Sequence, residues 1–166
     1  MNAKRYKAQY HLYKPLKQEG KGAAFQFSYD HNPRSVFLDA APQKGAKLPI
    51  GSKDQFNWKE DKITFKIGVT DIGKLLLLFN RATKNAECIH SPEDSDYVSR
   101  LQLEKQDNEY DNYRIRISKT VKLEDGNKQT KQVAMYLNND EVAILAHFFR
   151  ESLTRMLGFQ YIRDNS

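Results

Sequence analysis

The sequence predicts an α+β chain in which a strand-rich unit occurs twice, each copy closed by one helix. Three observations carry that expectation. Apolar side chains alternate through several short stretches, the period of a strand with one buried face. They recur at helical spacing in two longer stretches, first at Ile72, Leu75, Leu76 and Phe79, then at Val142, Leu145, Phe149, Leu153 and Met156. A shift of 70 residues lays Ile63, Phe65 and Ile67 on Val133, Met135 and Leu137, and Leu75 and Phe79 on Leu145 and Phe149.

In chain order, residues 23–29 alternate apolar with small or polar side chains, and residues 35–40 follow with Val36, Leu38 and Ala40 in phase. Both are predicted strands. Between them Asp30-His31-Asn32-Pro33-Arg34 has turn composition, since Asn and Asp tolerate tight backbone and Pro fixes φ. A loop rich in Gly, Pro and Lys spans 42–54, then Trp58 precedes a strand at 62–67 with Ile63, Phe65 and Ile67 on one face. Thr70 is expected to cap the first helix, with Asp71 in its first turn and its end near 81–84.

The second half repeats the plan. Leu101 and Leu103 mark one strand, Tyr113, Ile115 and Ile117 another, and Val133, Met135 and Leu137 a third. Asn139 or Asp140 is expected to cap the closing helix, which Gly158 stops. The implied order is four strands and a helix, twice, within one domain of residues 1–166; the two copies cover about 7–84 and 97–158.

Composition narrows the class. Hydrophobic residues at 39% and charged residues at 29% exclude disordered, collagen-like and membrane chains. A net charge of +6 favours a polyanionic partner. The charge is also clustered, with Lys4, Arg5, Lys7, Lys14, Lys17 and Lys21 near the start and Glu93, Asp94, Asp96, Asp107, Glu109 and Asp111 in the middle. Cys88 is the single cysteine, so no intrachain disulfide or ordinary zinc site is expected, and a reducing compartment is. No apolar segment follows Met1, and the longest aliphatic run, 75–79, is far below the roughly 18 residues that span a bilayer. Neither secretion nor membrane insertion is expected.

With these residues in view the chain resembles the Whirly family. Phe56-Asn57-Trp58, then Lys62-Ile63-Thr64-Phe65-Lys66-Ile67-Gly68-Val69-Thr70-Asp71-Ile72-Gly73, is similar to that family's Tyr-Asp-Trp, strand and Val-Thr-Glu-Ile-Gly helix start. Glu87-Cys88-Ile89-His90-Ser91-Pro92 resembles Glu-Phe-Phe-His-Asp-Pro, and Asp140-Glu141-Val142-Ala143-Ile144-Leu145 resembles Ala-Glu-Phe-Ala-Val-Leu. Leu157-Gly158-Phe159 stands where the family has Ile-Gly-Trp, so the resemblance runs from about Tyr13 to Phe159.

The resemblance implies two antiparallel β-sheets packed with two helices, four protomers per assembly, and sequence-tolerant binding of single-stranded DNA along the sheets. It links such proteins to DNA protection, repair, recombination or transcription. The signature Lys-Gly-Lys-Ala-Ala-Leu departs here to Gly20-Lys21-Gly22-Ala23-Ala24-Phe25, which puts assembly beyond a tetramer in doubt. No plant transit peptide is recognisable. A bacterial or viral relative in the cytoplasm, associated with the nucleoid, is therefore expected, with the organelle matrix as the location if the chain is a trimmed plant protein.

Gripping a single strand without reading sequence needs cations for phosphates and flat side chains for bases. Strand faces not packed on helices are expected to present Thr64 and Lys66, Arg100 and Gln102, Arg114 and Arg116, and Ala134 and Tyr136. Arg114 and Arg116 with Lys119 are taken as three cations in phase on one strand, a cluster that repels itself unless an anion comes near. Exposed strand faces are polar in any case, and lysines and arginines also blunt sheet edges against aggregation. Phe25, Phe27 and Phe37 are stacking platforms or core; Phe37, out of phase with Val36 and Leu38, is the better platform. Trp58 matches the family position, with packing as its alternative role. Lys14 and Lys21, with Tyr13, lie on the basic opening segment. The expected nucleic-acid contacts are thus Lys14, Lys21, Phe25, Phe37, Trp58, Lys66, Arg100, Arg114, Arg116, Lys119 and Tyr136.

Enzymatic readings fare poorly. His11, His31, His90 and His147 lie in unrelated segments, and Cys88 with His90 lacks a third group to orient it. Gly20-Lys21-Gly22 lacks the spacing of a phosphate loop, and the acidic stretch 93–96 reads as solvated loop rather than metal cluster. No catalysis, cofactor, metal or small-molecule substrate is expected. His147, Phe148 and Phe149 make the second helix apolar on more than one side, as Leu77 and Leu78 do for the first, so burial against other protomers is expected. RNA in place of DNA, or a protein partner docked on the sheets, are the alternatives.

Overall fold

The computed structural model describes residues 8–17, 21–45, 55–108 and 112–159. Lys4, Arg5, Lys7, Gly20, Glu109 and Asp111 lie outside them. Alternating burial builds eight strands: β1 (Gln9–Lys14), β2 (Ala23–Asp30), β3 (Ser35–Pro42), β4 (Ile63–Ile67), β5 (Asn85–His90), β6 (Tyr97–Lys105), β7 (Tyr113–Lys122) and β8 (Lys128–Leu137). Helix α1 (Val69–Phe79) follows β4 and helix α2 (Asn139–Met156) follows β8. Each set of four strands forms one antiparallel sheet in chain order, β1-β2-β3-β4 and β5-β6-β7-β8. The expected two sheets and two helices are present, in the order ββββα twice.

Two strands have no counterpart among the stretches marked by periodicity. β1 fully buries only Leu12, and β5 buries only Ala86 and Cys88, so neither carries a bulky alternating row. β5 also places the start of the second sheet at Asn85, ahead of residue 97. The helices begin earlier than expected. Gly68, not Thr70, caps α1, and Asp71 reaches back to accept the Gly68 N–H at 2.9 Å. Asn138 caps α2 in a reciprocal box with Glu141, each side chain accepting the other's backbone N–H at 2.8 Å. Both caps lie 70 residues apart, as the shifted sequence requires.

One core joins the inward rows of both sheets to the inner stripes of both helices. Phe25, Phe27 and Tyr29 lie at its centre with Phe65, Phe149, Leu75 and Leu145, and Phe27 meets Phe149 edge-on at 5.8 Å. Burial of each such side chain stabilises the fold by about 1.5–3 kcal/mol. Phe25 is therefore corrected from a candidate stacking platform to core: it shares the phase of Phe27 and is 0% exposed. Leu78 likewise belongs to the chain's own core, whereas Leu77 is 52% exposed.

The helix-start carboxylates also tie the two units together. Asp71 of α1 holds His90, the last residue of β5, at 2.8 Å. Glu141 of α2 holds Lys14, the last residue of β1, at 2.5 Å. Each unit's helix thus grips the end of the other unit's first strand.

Candidate nucleic-acid interface

On β6, β7 and β8 the odd-numbered residues Leu101, Leu103, Ile115, Ile117, Val133 and Met135 face the core, so the even-numbered ones form the outer face. Register sets them in rows. Glu104, Arg114 and Tyr136 lie side by side, then Gln102, Arg116 and Ala134, then Arg100, Ser118 and Gln132. Arg100, Arg114, Arg116 and Tyr136 therefore share one surface, as the alternation implies. Arg116 donates through Nε to Gln102 Oε1 at 2.9 Å, and Gln102 donates to Glu87 at 2.7 Å. Glu87 also lies 3.5 Å from Arg100. This network ties Arg100 and Arg116 to Gln102 and Glu87 across β5, β6 and β7, while Arg114 has no ion pair or hydrogen bond among the described residues.

Lys119 is corrected. Three residues from Arg116 on a strand of period two, it lies on the opposite face, where its ammonium sits 4.1 Å from the centre of the Tyr97 ring. Arg114 and Arg116 are in phase with each other but not with it.

Where β1 and β2 of the first sheet approach β8 of the second, a cleft of about 270 Å³ opens. Lys14, Leu16, Lys21, Ala23, Arg114, Ala134, Met135 and Tyr136 line it, so Lys14, Lys21, Arg114 and Tyr136, expected from sequence to touch nucleic acid, converge there from opposite halves of the chain. Tyr136 is 54% exposed and stands directly opposite Arg114 in the ladder, an aromatic residue open to solvent beside a cation. Lys14 is less available. Its ammonium donates to the Tyr136 carbonyl at 2.6 Å and to Glu141 at 2.5 Å. Burial and the nearby Glu141 charge push the Tyr10 phenol above its ordinary pKa. Leu16, Ala134 and Met135 give the cleft its apolar wall; Ala134 was expected on the open face and Met135 in a strand, whereas Leu16 had no expected role, and an apolar residue amid Lys14, Lys17 and Lys21 was the available signal.

The first sheet's outer face is separate. Phe37 is half-buried there and pairs across the ladder with Lys66, which is exposed. Trp58 is half-buried at the other end, packed on the small cluster of Ala24, Ala41 and Phe56. The structure brings Phe37 and Lys66 together and holds Trp58 in a packing role, apart from the cleft.

The third group that spacing does not reveal beside Cys88 and His90 is Asp71, which contacts both. Burial, then the Asp71 charge, push the Cys88 thiol up to about 12, so it stays protonated and unreactive at neutral pH. His90 stacks on Phe65 at 4.3 Å while it holds Asp71. The triple contact is a fastening between α1, β4 and β5. Among the described residues, no group of three or more His, Cys, Asp or Glu is placed to hold a metal ion, and no helix is long and apolar enough to cross a membrane.

No protein-family model matches the chain, and no curated protein matches it in sequence. Solved structures do match. WHY1 from Arabidopsis thaliana superposes with a TM-score of 0.69 over 98% of this chain and 98% of its own, at 17% identity. The plant transcriptional regulator PBF-2 gives 0.68 over 95% and 86%, at 19% identity. The fold is Whirly-like. MRP1/MRP2 of Trypanosoma bruciei share this Whirly-like architecture at a TM-score of 0.61 over 93% and 97%, with 14% identity.

Within the Whirly-like fold Gly22 has a local cause. A Cβ there would lie 2.1 Å from Gln43 Oε1, 2.7 Å from the Lys14 carbonyl and 2.8 Å from the Leu16 nitrogen. Gln43 Oε1 accepts the N–H groups of both Leu16 and Gly22 at 2.9 Å, and its Nε2 donates back to the Leu16 carbonyl at 3.1 Å. The clamp that shapes the cleft's basic lip thus excludes any side chain at this position.

Proposed function

We propose that the chain binds single-stranded nucleic acid, DNA in the first instance, with little sequence preference and without chemical change to it. The observation that carries this is the exposed Tyr136 ring beside Arg114 and Lys21 in an apolar-walled cleft. A base can stack on the ring and exclude water against Leu16 and Met135, while the cations meet the flanking phosphates. Arg100 and Arg116 extend the cationic surface, and Phe37 with Lys66 offers a second ring-and-cation pair on the other sheet. The likeness in fold to a plant transcriptional regulator agrees with such a role.

Fluorescence anisotropy with labelled oligo-dT tests it. Log affinity should fall against log salt with a slope of about −0.7 per phosphate neutralised. Arg114→Glu with Arg116→Glu should abolish retention; unchanged retention would leave a protein-docking scaffold as the better description. Competition with oligo-U measures preference between DNA and RNA, which rests on 2′-hydroxyl contacts. Assembly belongs to the same proposal. Ile144 on α2 and Leu77 on α1 are apolar yet each 52% exposed on the helix faces turned away from the core, and we assign these faces to contacts within a homotetramer. Light scattering with and without oligonucleotide reads that stoichiometry directly.

A further inference from the structure

Beyond Ser99 and Tyr97 the second sheet thins from four strands to two, because β5 pairs no further than Ser99 and β6 no further than Tyr97. What remains is the end of the β7–β8 hairpin. Its ladder sets lysine directly against lysine twice, Lys119 opposite Lys131 and Lys122 opposite Lys128. Like charges at that spacing destabilise a hairpin. The protein neutralises the first pair itself: Lys119 rests on Tyr97, and Lys131 donates to Asp61 at 2.9 Å and to the Glu60 carbonyl at 3.1 Å. The second pair has no ion-pair or hydrogen-bond partner for either ammonium among the described residues.

The unrelieved pair lies on the outer face, in phase with Arg114 and Arg116. Between the two ends the face is neutral and hydrogen-bonding, with Ser118 beside Gln132 and the Thr120 and Thr130 hydroxyls 2.9 Å apart. At the lysine end a recess of about 460 Å³ is lined by Arg100, Thr120, Lys122, Lys128, Tyr97 and Ser95, with Val98 and Asp96. Three cations and one acidic residue line it, and of the three only Arg100 has an ion-pair partner, Glu87 at 3.5 Å, among the described residues. Asp125 in the hairpin turn is engaged by the backbone and side-chain N–H groups of Asn127, which hold its carboxyl below the usual range.

We propose that Lys122 and Lys128, with Arg100, form a phosphate-binding subsite at the end of the hairpin for the backbone of the same single strand. The strand then runs from the Tyr136 cleft along β7 and β8, a path of about 27 Å for the eight strand steps from Arg114 to Lys122. This rests on the single-strand-binding role proposed above, and it adds the direction of the strand and a second anchor.

The test compares the full chain with Lys122→Gln plus Lys128→Gln on two labelled oligo-dT lengths, about 4 nucleotides, too short to span the path, and about 20. The short oligonucleotide should bind both proteins equally. On the long one the double variant should lose about tenfold in affinity, and its salt slope should shrink by about 1.4, two phosphates at about 0.7 each. Its melting temperature should hold or rise, because the opposed charges are gone. If the long oligonucleotide binds both proteins with equal affinity and slope while the short one still binds, the hairpin subsite is overturned and the cleft stands. If the unaltered chain binds neither length, the single-strand role fails and the subsite with it.

Discussion

Glu141→Gln should make the protein less stable and a better binder at once. The carboxylate holds Lys14 at 2.5 Å in the cleft wall, with the two side chains 31% and 19% exposed. A pair this wet contributes about 1 kcal/mol or less, and glutamine can still accept the Asn138 N–H, so the cap survives. For a domain of this length that predicts a fall in melting temperature of about 2–4 °C. The ammonium keeps the Tyr136 carbonyl but faces the cleft without a counter-charge. A phosphate about 4 Å away in water gains about 1 kcal/mol, roughly fivefold in affinity, and the salt slope steepens by about 0.7. Thermal melts and anisotropy titrations against oligo-dT at several salt concentrations measure both effects. A lowered melting temperature with unchanged or weaker affinity and an unchanged slope would refute the placement of phosphate in the cleft.

Gly22→Ala should destabilise by about 3 kcal/mol, from overpacking against the Lys14 and Leu16 backbone and from loss of bonds to Gln43, and urea denaturation would record it. Tyr136→Ala should weaken oligo-dT binding by about 1–3 kcal/mol at little cost in melting temperature, whereas Tyr136→Phe should retain binding; equal affinity in all three proteins would exclude stacking on this ring. The Cys88 thiol, raised from 9.0 to about 12, ionises first in the unfolded chain. Stability from this group is therefore whole below pH 9 and is lost as pH climbs toward about 12, by up to about 4 kcal/mol for three pKa steps. Urea midpoints from pH 8 to 11 should fall less steeply in Cys88→Ala.

Much of this architecture is legible in the chain because bulky rows announce themselves. Ile63, Phe65 and Ile67 fix the inward face of β4, and Tyr113, Ile115 and Ile117 that of β7. Phe37 was separable from its neighbours by phase alone. The same counting places Lys119 with Ile117 rather than Arg116, and Phe25 with Phe27. β1 and β5 stayed hidden because their inward positions are single or small. The cleft could not be seen from periodicity, since Lys14 meets the Tyr136 carbonyl across 122 positions of chain. Nor does spacing show that Glu141 shields Lys14, or that Asp71 stands beside Cys88 and His90.

Those two helix-start acids bear on how the molecule could be divided. Because α1 is fastened by the tail of β5, and α2 by the tail of β1, neither half carries everything its own helix start requires. Cleaving the chain at 80–84, between α1 and β5, would leave His90 with the second fragment and Lys14 with the first, so the severed pieces would remain mutually dependent, more like interlocked hands than beads on a string.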